Sequence, residues 1–139
     1  AASDRLLIGI DLRKSRERLE RAYDDSLGVT ARFNKNLLTR INRELGADFL
    51  PEQFEFRVHY HEDSGCVESS LVSLRDQSVQ VAELGQSFAF QQGDKIHTEN
   101  SYKYSLQEID ELAALSQMRC ETRWLDDDGE YSVNLFAPV

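Results

Sequence analysis

Residues 4–12 read DRLLIGIDL, a short apolar run with polar edges. The run does not alternate between apolar and polar residues, which is typical of a strand buried on both faces in the centre of a parallel sheet. Such a strand needs neighbours on both sides, and only three small residues precede residue 4. The stretch therefore predicts an α/β fold whose first strand pairs with chain outside these 139 residues.

Two helices are predicted after this strand. Residues 15–23 are helical in composition, with Leu19 and Ala22 on one side. A stronger helix opens at Thr30, and Gly46 ends it in the position where glycine commonly stops helices. Its apolar residues recur every four positions and form one stripe. The stripe consists of Phe33, Leu37, Ile41 and Leu45, with Leu38 beside it.

The middle of the chain changes to the strand period of two. From Phe54 to Tyr60, aromatic and aliphatic residues alternate with polar ones. Four more short strand candidates follow, at 66–74, 79–84, 88–90 and 96–101. Five successive short strands predict an antiparallel meander with one polar face.

The end of the chain predicts a helix followed by a hairpin. Ser105-Leu106-Gln107-Glu108 is a capping box, and apolar residues continue at helical spacing to Leu115. Residues 118–125 and 131–136 are strand-like and flank an acidic turn. A strand, helices, a meander, a helix and a hairpin resemble the closing half of a doubly wound sheet into which the meander is inserted.

Charge and length exclude several classes of protein. The 139 residues suit one compact domain, and 16 Lys and Arg against 25 Asp and Glu give a net charge of −9. Nucleic acids and anionic membranes are bound by clustered Lys and Arg, so neither is an expected partner. No apolar run approaches the roughly 20 residues of a membrane span, and no leader is visible. We therefore expect a cytoplasmic protein.

The sequence gives little support for a disulfide scaffold, a metal site, dinucleotide binding or acyl-transfer catalysis. Cys66 and Cys120 are too few for a disulfide scaffold and are expected to be ordinary thiols. His59 and His61 share a strand face but have no third close ligand, so no metal site is predicted. The absence of GxGxxG and GxSxG argues against a dinucleotide loop and against acyl-transfer catalysis.

The densest group of polar and aromatic side chains lies in residues 98–104, TENSYKY. Glu99 and Ser101 would point the same way from a strand, about 7 Å apart, because side chains alternate with a period of two. A carboxylate and a hydroxyl so placed could bind the N–H donor and the acceptor nitrogen of an imidazole. A solvated strand end before a helix is the alternative, and spacing alone leaves both open.

A second candidate patch begins at Tyr23. A tyrosine at a helix end can donate a hydrogen bond to a carboxylate. Asp24, Asp25 and Thr30 are equally well explained as capping and turn residues. Two amides early in the following helix are expected to be exposed: Asn34 and Asn36.

Four stretches carry a resemblance to a known family: LLIGIDL (6–12), AYDDSLGVTARFNKNLLTRINRELGADF (22–49), FRVHYH (56–61) and TENSYKYS (98–105). Together they resemble the carboxyl-terminal portion of the histidine-specific methyltransferases, over essentially the whole chain. That family methylates the α-amino group of L-histidine with S-adenosylmethionine, on the route to ergothioneine. The resemblance implies that the upstream half of the same enzyme is a partner of this chain.

The resemblance also implies a domain arrangement. Residues 1–13 would be a late central strand of a doubly wound, class I methyltransferase sheet. Residues 14–104 would form an inserted substrate-binding domain that contains the meander. Residues 105–139 would supply the last helix and the closing antiparallel hairpin. As an isolated piece, the chain would be described as α+β.

Carried over residue by residue, the resemblance assigns Glu99 and Ser101 to the imidazole ring and Tyr23 to the substrate carboxylate. The family tends to place a methionine against the ring where this chain has Ser69, a departure that loosens the apolar wall. The resemblance assigns no catalytic, cofactor-binding or metal-binding residue to this chain. Its glycine-rich cofactor loop lies upstream.

Two other functions remain open. The chain could be a stand-alone small-molecule binding module without activity, because it has no cofactor loop. It could also belong to a methyltransferase for another aromatic amino acid, because of Ser69. An unpaired central strand favours association, so we expect the isolated chain to form a homodimer or a swapped assembly.

Overall fold

The structure is a computed structural model that describes residues 3–139, so the first two residues of the predicted 1–13 segment lie outside the described residues. The described residues form strands and helices in a mixed order. The elements are β1 (Leu6–Asp11), α1 (Arg16–Tyr23), α2 (Val29–Leu45), β2 (Phe54–His61), β3 (Cys66–Ser73), β4 (Gln77–Val81), β5 (Gln86–Phe90), β6 (Lys95–Tyr102), α3 (Leu106–Leu115), β7 (Met118–Leu125) and β8 (Tyr131–Pro138). Two 3₁₀ turns, Pro51–Gln53 and Ala82–Leu84, precede β2 and β5.

The chain divides into two compact units, where its length suggested one domain. The first unit contains the described residues up to Arg16 together with Glu62–Cys66 and Ser101–Val139. The second unit contains Glu17–His61 and Val67–Asn100. The domain boundaries predicted after residues 13 and 104 stay predictions.

The first unit is a three-stranded sheet with one helix packed on it. Its strands are ordered β1-β8-β7, and both pairs are antiparallel. Ile109 and Ala113 of α3 pack against Leu12 and Phe136 to form the core. The predicted capping box is confirmed, because Ser105 and Glu108 each accept a hydrogen bond from the backbone N–H of the other. The predicted hairpin is confirmed as β7 and β8.

The central position predicted for β1 stays a prediction. Within residues 3–139, β1 pairs with β8, antiparallel, and Leu12, which follows β1, makes a parallel bridge with Tyr104. Leu7 is 62% exposed, because α3 covers only one face of the sheet and no other strand of residues 3–139 extends it past β1. The prediction places the missing neighbour of β1 outside these residues.

The second unit contains two sheets rather than the single meander that the sequence predicted. One sheet has the order β2-β3-β6, and the other is the antiparallel pair β4-β5. The chain returns to β3 directly after this pair, because the N–H of Ser73 donates to the carbonyl of Asp94 (2.8 Å) and the N–H of Gly93 donates to the carbonyl of Ser73 (2.9 Å). These non-local bonds leave β4 and β5 as a side hairpin.

Within the second unit, helix α2 packs against the core through a different face from the predicted one. Leu38 is buried in the core of this unit. The core consists of Leu38, Phe49, Phe54, Phe56, Leu71 and Val79. Asn34, one turn before Leu38, is also buried, whereas Phe33 is 74% exposed and Leu37 is exposed. The buried face is therefore rotated by about one residue from the apolar stripe, and part of the stripe faces solvent.

Candidate functional site

The second unit has a cleft beside α2 that contains one of the predicted site residues, Glu99. The cleft has a volume of about 270 Å³. It is lined by Phe33, Asn34, Asn36, Leu37, Arg40, Thr98 and Glu99. We call it the α2–β6 cleft. It combines an exposed carboxylate and a guanidinium with the aromatic and aliphatic side chains that the predicted stripe placed on α2.

A side-chain hydrogen bond holds β6 beside β3 next to Glu99. The hydroxyl of Thr98 donates to the backbone carbonyl of Ser69 at 3.0 Å. The Glu99 side chain is exposed and faces the cleft. A fixed strand that presents an exposed carboxylate at a cleft can offer that carboxylate to a donor on a bound ligand.

Ser101 lies in the first unit beside a buried lysine. The ammonium of Lys103 donates to Ser101 Oγ at 2.9 Å and pairs with Asp11 Oδ2 at 2.9 Å. Only 3% of Lys103 is exposed. Lys14 approaches the other oxygen of Asp11 at 2.7 Å. Burial raises the pKa of Asp11, but the hydrogen bonds and charges of Lys14 and Lys103 outweigh burial and hold the pKa below its usual value.

The backbone around Lys103 is fixed on both sides. The Lys103 N–H donates to the carbonyl of Gly65 at 2.7 Å, and the Arg13 N–H donates to the carbonyl of Tyr104 at 3.0 Å. Gly65 has φ +67°, and a Cβ there would collide with the Lys103 carbonyl oxygen. A glycine is therefore required at this turn, and the bonds that it permits position Lys103 and its contact with Ser101.

Tyr23 closes α1 in the second unit. Its ring is half-buried and packs against the core cluster of Leu19, Tyr60 and Val67. Packing of this kind orients the phenol on a rigid element, which suits a hydrogen-bond donor. Tyr23 does not line the α2–β6 cleft.

Asp25 has the capping role that the sequence left open. Its carboxylate accepts hydrogen bonds from the N–H groups of Thr30 (2.8 Å) and Val29 (2.9 Å) at the start of α2. The bond from the Thr30 backbone, followed by that from Val29, lowers the pKa of Asp25 to about 2. The prediction that Asn34 is exposed is wrong, because its amide is buried and donates to the Thr30 carbonyl (3.1 Å). Asn36 is exposed, as predicted.

Ser69 lies in β3, in the second unit, and is only 1% exposed. A ring could reach its hydroxyl only if the side chains that cover it moved. Its predicted contact with the substrate ring stays a prediction, as do the roles of Tyr23, Glu99 and Ser101.

Two features of these surroundings were not predicted from the sequence. Phe33 and Arg40 line the cleft with Glu99, whereas the sequence predicted Phe33 only as part of the apolar stripe of α2 and assigned no role to Arg40. Lys103 was recognised only as one member of a polar stretch. A usable signal for it was the spacing of Glu99, Ser101 and Lys103, since residues two apart on a strand share a face.

The histidines and cysteines form no further site. The rings of His59 and His61 lie 4.5 Å apart between centroids, and His61 contacts Glu68 at 3.0 Å. Within residues 3–139 no three His, Cys, Asp or Glu side chains are grouped as metal ligands. Cys66 and Cys120 are free thiols. No helix in the described part of the chain has the length and apolar character needed to cross a membrane.

Comparison with known families gives one match over nearly the whole chain. The family described as "Histidine-specific methyltransferase, SAM-dependent" matches residues 1–138. A mixed fold with antiparallel sheets is consistent with a methyltransferase-type domain.

Curated relatives agree with this match. The histidine N-alpha-methyltransferase of Mycolicibacterium smegmatis is 39% identical over 132 residues, which cover 95% of this chain and 41% of that protein. The histidine N-alpha-methyltransferase of Mycobacterium tuberculosis is 40% identical over 135 residues, which cover 96% of this chain and 42% of that protein. Ergothioneine biosynthesis protein 1 of Schizosaccharomyces pombe is 29% identical over 130 residues, 93% of this chain and 17% of that protein. The chain thus spans about two fifths of the length of the mycobacterial relatives.

Proposed function

The chain belongs to the histidine-specific, S-adenosylmethionine-dependent methyltransferase family, and we propose that it is the carboxyl-terminal, substrate-binding portion of an enzyme that methylates the α-amino group of L-histidine. The observation that carries the proposal is the position of Glu99, an exposed carboxylate at the α2–β6 cleft, two residues before Ser101 on the same strand. The names of the mycobacterial relatives support histidine as the substrate.

Recognition of the ring follows from hydrogen-bond chemistry. A neutral imidazole has one N–H donor and one acceptor nitrogen. The Glu99 carboxylate accepts the N–H, and the Ser101 hydroxyl donates to the other nitrogen. Because the two residues are separated by one position of β6, the strand period supports their action on one ring. The exposed ring of Phe33 supplies an apolar wall at the same cleft.

The remaining substrate groups are held so that the amine is free to react. Tyr23 donates its phenol hydrogen to the substrate carboxylate. With the ring and the carboxylate anchored, the α-amine occupies a restricted position, and such positioning lowers the barrier to an in-line displacement. The neutral amine is the nucleophile, and we assign no residue of this chain as a general base.

We assign no residue of this chain to the cofactor. S-adenosylmethionine supplies the methyl group when it is bound by the whole enzyme. Asp11, the acidic residue that ends β1, is paired with Lys14 and Lys103, and we assign it no role with the cofactor. The cofactor site is proposed to lie in the remainder of the enzyme.

The exposed edge strand of the first sheet supports the remainder of the enzyme as a partner of this chain. Leu7 and Ile8 are exposed on β1, whose outer edge has no neighbouring strand within residues 3–139. We propose that upstream chain pairs with this edge and completes a doubly wound sheet, and that two copies associate through it when the chain is isolated. The two free thiols, Cys66 and Cys120, fit a reducing compartment, so we propose a cytoplasmic location.

Substitution of Glu99 tests the proposed function. In the whole enzyme, Glu99→Ala removes a hydrogen bond to a charged group, so we predict that KM for L-histidine rises about 10- to 100-fold. The kcat at saturating histidine should change much less, because Glu99 anchors the ring away from the reacting amine. Glu83→Ala is the matched control, since Glu83 is an exposed carboxylate outside the cleft. An unchanged KM with an abolished kcat would contradict the anchor role.

Calorimetry separates this proposal from the two alternatives. Histidine, tryptophan and S-adenosylmethionine are titrated into the isolated chain and into the whole enzyme. The proposal predicts that the whole enzyme prefers histidine and that the isolated chain does not bind the cofactor. A preference for tryptophan would support a methyltransferase for another aromatic amino acid. Binding of S-adenosylmethionine to the isolated chain would contradict the proposal that the cofactor site lies in the remainder of the enzyme.

A further inference from the structure

We propose that Asn34 binds the α-amine of the substrate, and that its amide oxygen stabilises the positive charge that this nitrogen gains during methyl transfer. The inference rests on the proposed function, because it takes the α2–β6 cleft as the place where the amino acid binds. It adds a residue that directs the nucleophile, whereas the residues assigned so far hold the ring and the carboxylate.

The orientation of the Asn34 amide follows from its side-chain hydrogen bond. Asn34 Nδ2 lies 3.1 Å from the backbone carbonyl oxygen of Thr30. A carbonyl oxygen can only accept, so the amide nitrogen must face it and the amide oxygen, Oδ1, must face away from it. The acceptor that this side chain still has to offer is therefore Oδ1.

Asn34 Oδ1 is an unused acceptor that opens into the α2–β6 cleft. It accepts no hydrogen bond from the part of the chain that the structure describes. Asn34 is only 6% exposed, yet within residues 3–139 no buried or half-buried residue has a side-chain nitrogen or oxygen that is both sealed from solvent and without a partner. Oδ1 must therefore be reached from the cleft that Asn34 lines. A buried amide with an unpaired oxygen costs stability that an apolar residue would not, which indicates a ligand as the missing partner.

The chemistry of L-histidine leaves one group that fits this acceptor. The hydrogen-bond donors of the substrate are the ring N–H and the α-amine. Glu99, which lines the same cleft as Asn34, accepts the ring N–H in the proposed function. The amine is the donor that remains, so we assign it to Asn34 Oδ1.

This contact becomes stronger as the reaction proceeds. The lone pair of the neutral amine forms the new N–C bond, while the C–S bond of the sulfonium breaks and its electron pair stays on sulfur. The amine nitrogen thereby gains the positive charge, and it loses a proton to water after the transfer. An N–H on a charged nitrogen is the stronger donor, so Asn34 stabilises the transition state more than it stabilises the bound substrate.

The test compares two substrates of the whole enzyme that differ in the N–H groups of the amine. The neutral amine of L-histidine carries N–H groups, whereas that of Nα,Nα-dimethyl-L-histidine carries none. The rate of one methyl transfer is measured in a single turnover at saturating substrate. Because Asn34→Leu removes a hydrogen bond to a charged group, we expect it to slow the transfer to L-histidine about 10- to 100-fold and the transfer to the dimethylated amine less than about threefold. An equal loss with both substrates would overturn the inference, because Asn34 would then have only a structural role.

Asn42→Leu is the matched control. It also removes an amide from α2, but the Asn42 amide lies outside the cleft and is engaged by the backbone of Phe49, to which it donates at 2.7 Å and from which it accepts at 2.8 Å. The loss of this structural pair should change the rates with both substrates by the same factor.

If Asn34→Leu does not fold, or if the dimethylated amine is not accepted, the unmodified enzyme still decides. A crystal structure of the whole enzyme with bound L-histidine should place the amine nitrogen within about 3.2 Å of Asn34 Oδ1. A separation of more than about 4 Å would overturn the inference. Failure of the proposed function is recognised separately, because Glu99→Ala would then leave KM for L-histidine unchanged.

Discussion

Glu99 and Lys103 lie four positions apart in the sequence, yet their surroundings are opposite. Glu99 is exposed at a cleft, whereas Lys103 is buried between Asp11 and Ser101. The strand period could predict that such residues share a face, but it could not predict the burial of Lys103. That burial depends on the turn at Gly65 and on the end of β1, both of which are distant in sequence.

Phe33 gives a residue-level prediction. Its ring is 74% exposed and lines the cleft that contains Glu99, where it can contact a bound ring. We predict that Phe33→Ala in the whole enzyme raises KM for L-histidine about 10-fold, through the loss of contact with the ring. Leu27→Ala is the control, since Leu27 is 78% exposed but outside the cleft. Equal kinetics for the two variants would exclude Phe33 from the site.

At the scale of elements, the sequence correctly predicted the helix ends and the hairpin, because these depend on residues that are close in sequence. The capping box of α3, the end of α2 at Gly46 and the hairpin of β7 and β8 follow from residues close in sequence, and the structure contains all three. The meander was wrong because strand order depends on non-local bonds such as Ser73 to Asp94. The face of α2 was wrong by one residue because Asn34, a polar side chain, is buried through its bond to Thr30.

The start of α3 gives a pH-dependent prediction. The pKa of Glu108 is lowered to about 2, from an unperturbed value of 4.5. The main cause is the pair of hydrogen bonds from Arg13, at 2.9 and 2.6 Å, and the next is the bond from the Ser105 backbone. A carboxyl group whose pKa falls on folding stabilises the native state above its unfolded pKa. It loses that contribution as pH falls toward the folded value. The contribution should therefore be complete at pH 7 and disappear between about pH 4.5 and pH 2.

Urea unfolding over a pH series measures this effect. We predict that Glu108→Gln lowers the free energy of unfolding at pH 7 by about 1 kcal/mol, a value reduced for the solvent exposure of the pair. The difference from the unmodified protein should shrink to nothing near pH 2. Glu111→Gln, which makes the same charge change on the same helix, should show no such trend. A constant difference across the pH series would contradict the ionic origin of the effect.

At the scale of the whole molecule, the place of β1 in a larger sheet stays a prediction. The apolar run of β1 predicts burial on both faces, and in residues 3–139 the strand pairs with β8 and packs against α3. The chain spans 41–42% of the length of the mycobacterial relatives. Burial is a property of the assembled molecule, so an apolar pattern predicts burial in the assembly and cannot be scored on residues 3–139 alone.

The central claim is that Glu99 and Ser101 bind opposite nitrogens of the substrate imidazole. The most direct test is NMR of L-histidine labelled with ¹⁵N in the ring and bound to the whole enzyme at pH 7.5. The claim predicts one protonated and one unprotonated ring nitrogen, with Glu99→Gln shifting chiefly the protonated signal and Ser101→Ala chiefly the other. If neither substitution moves the signals of the bound ring, the two residues do not contact it, and the claim is wrong.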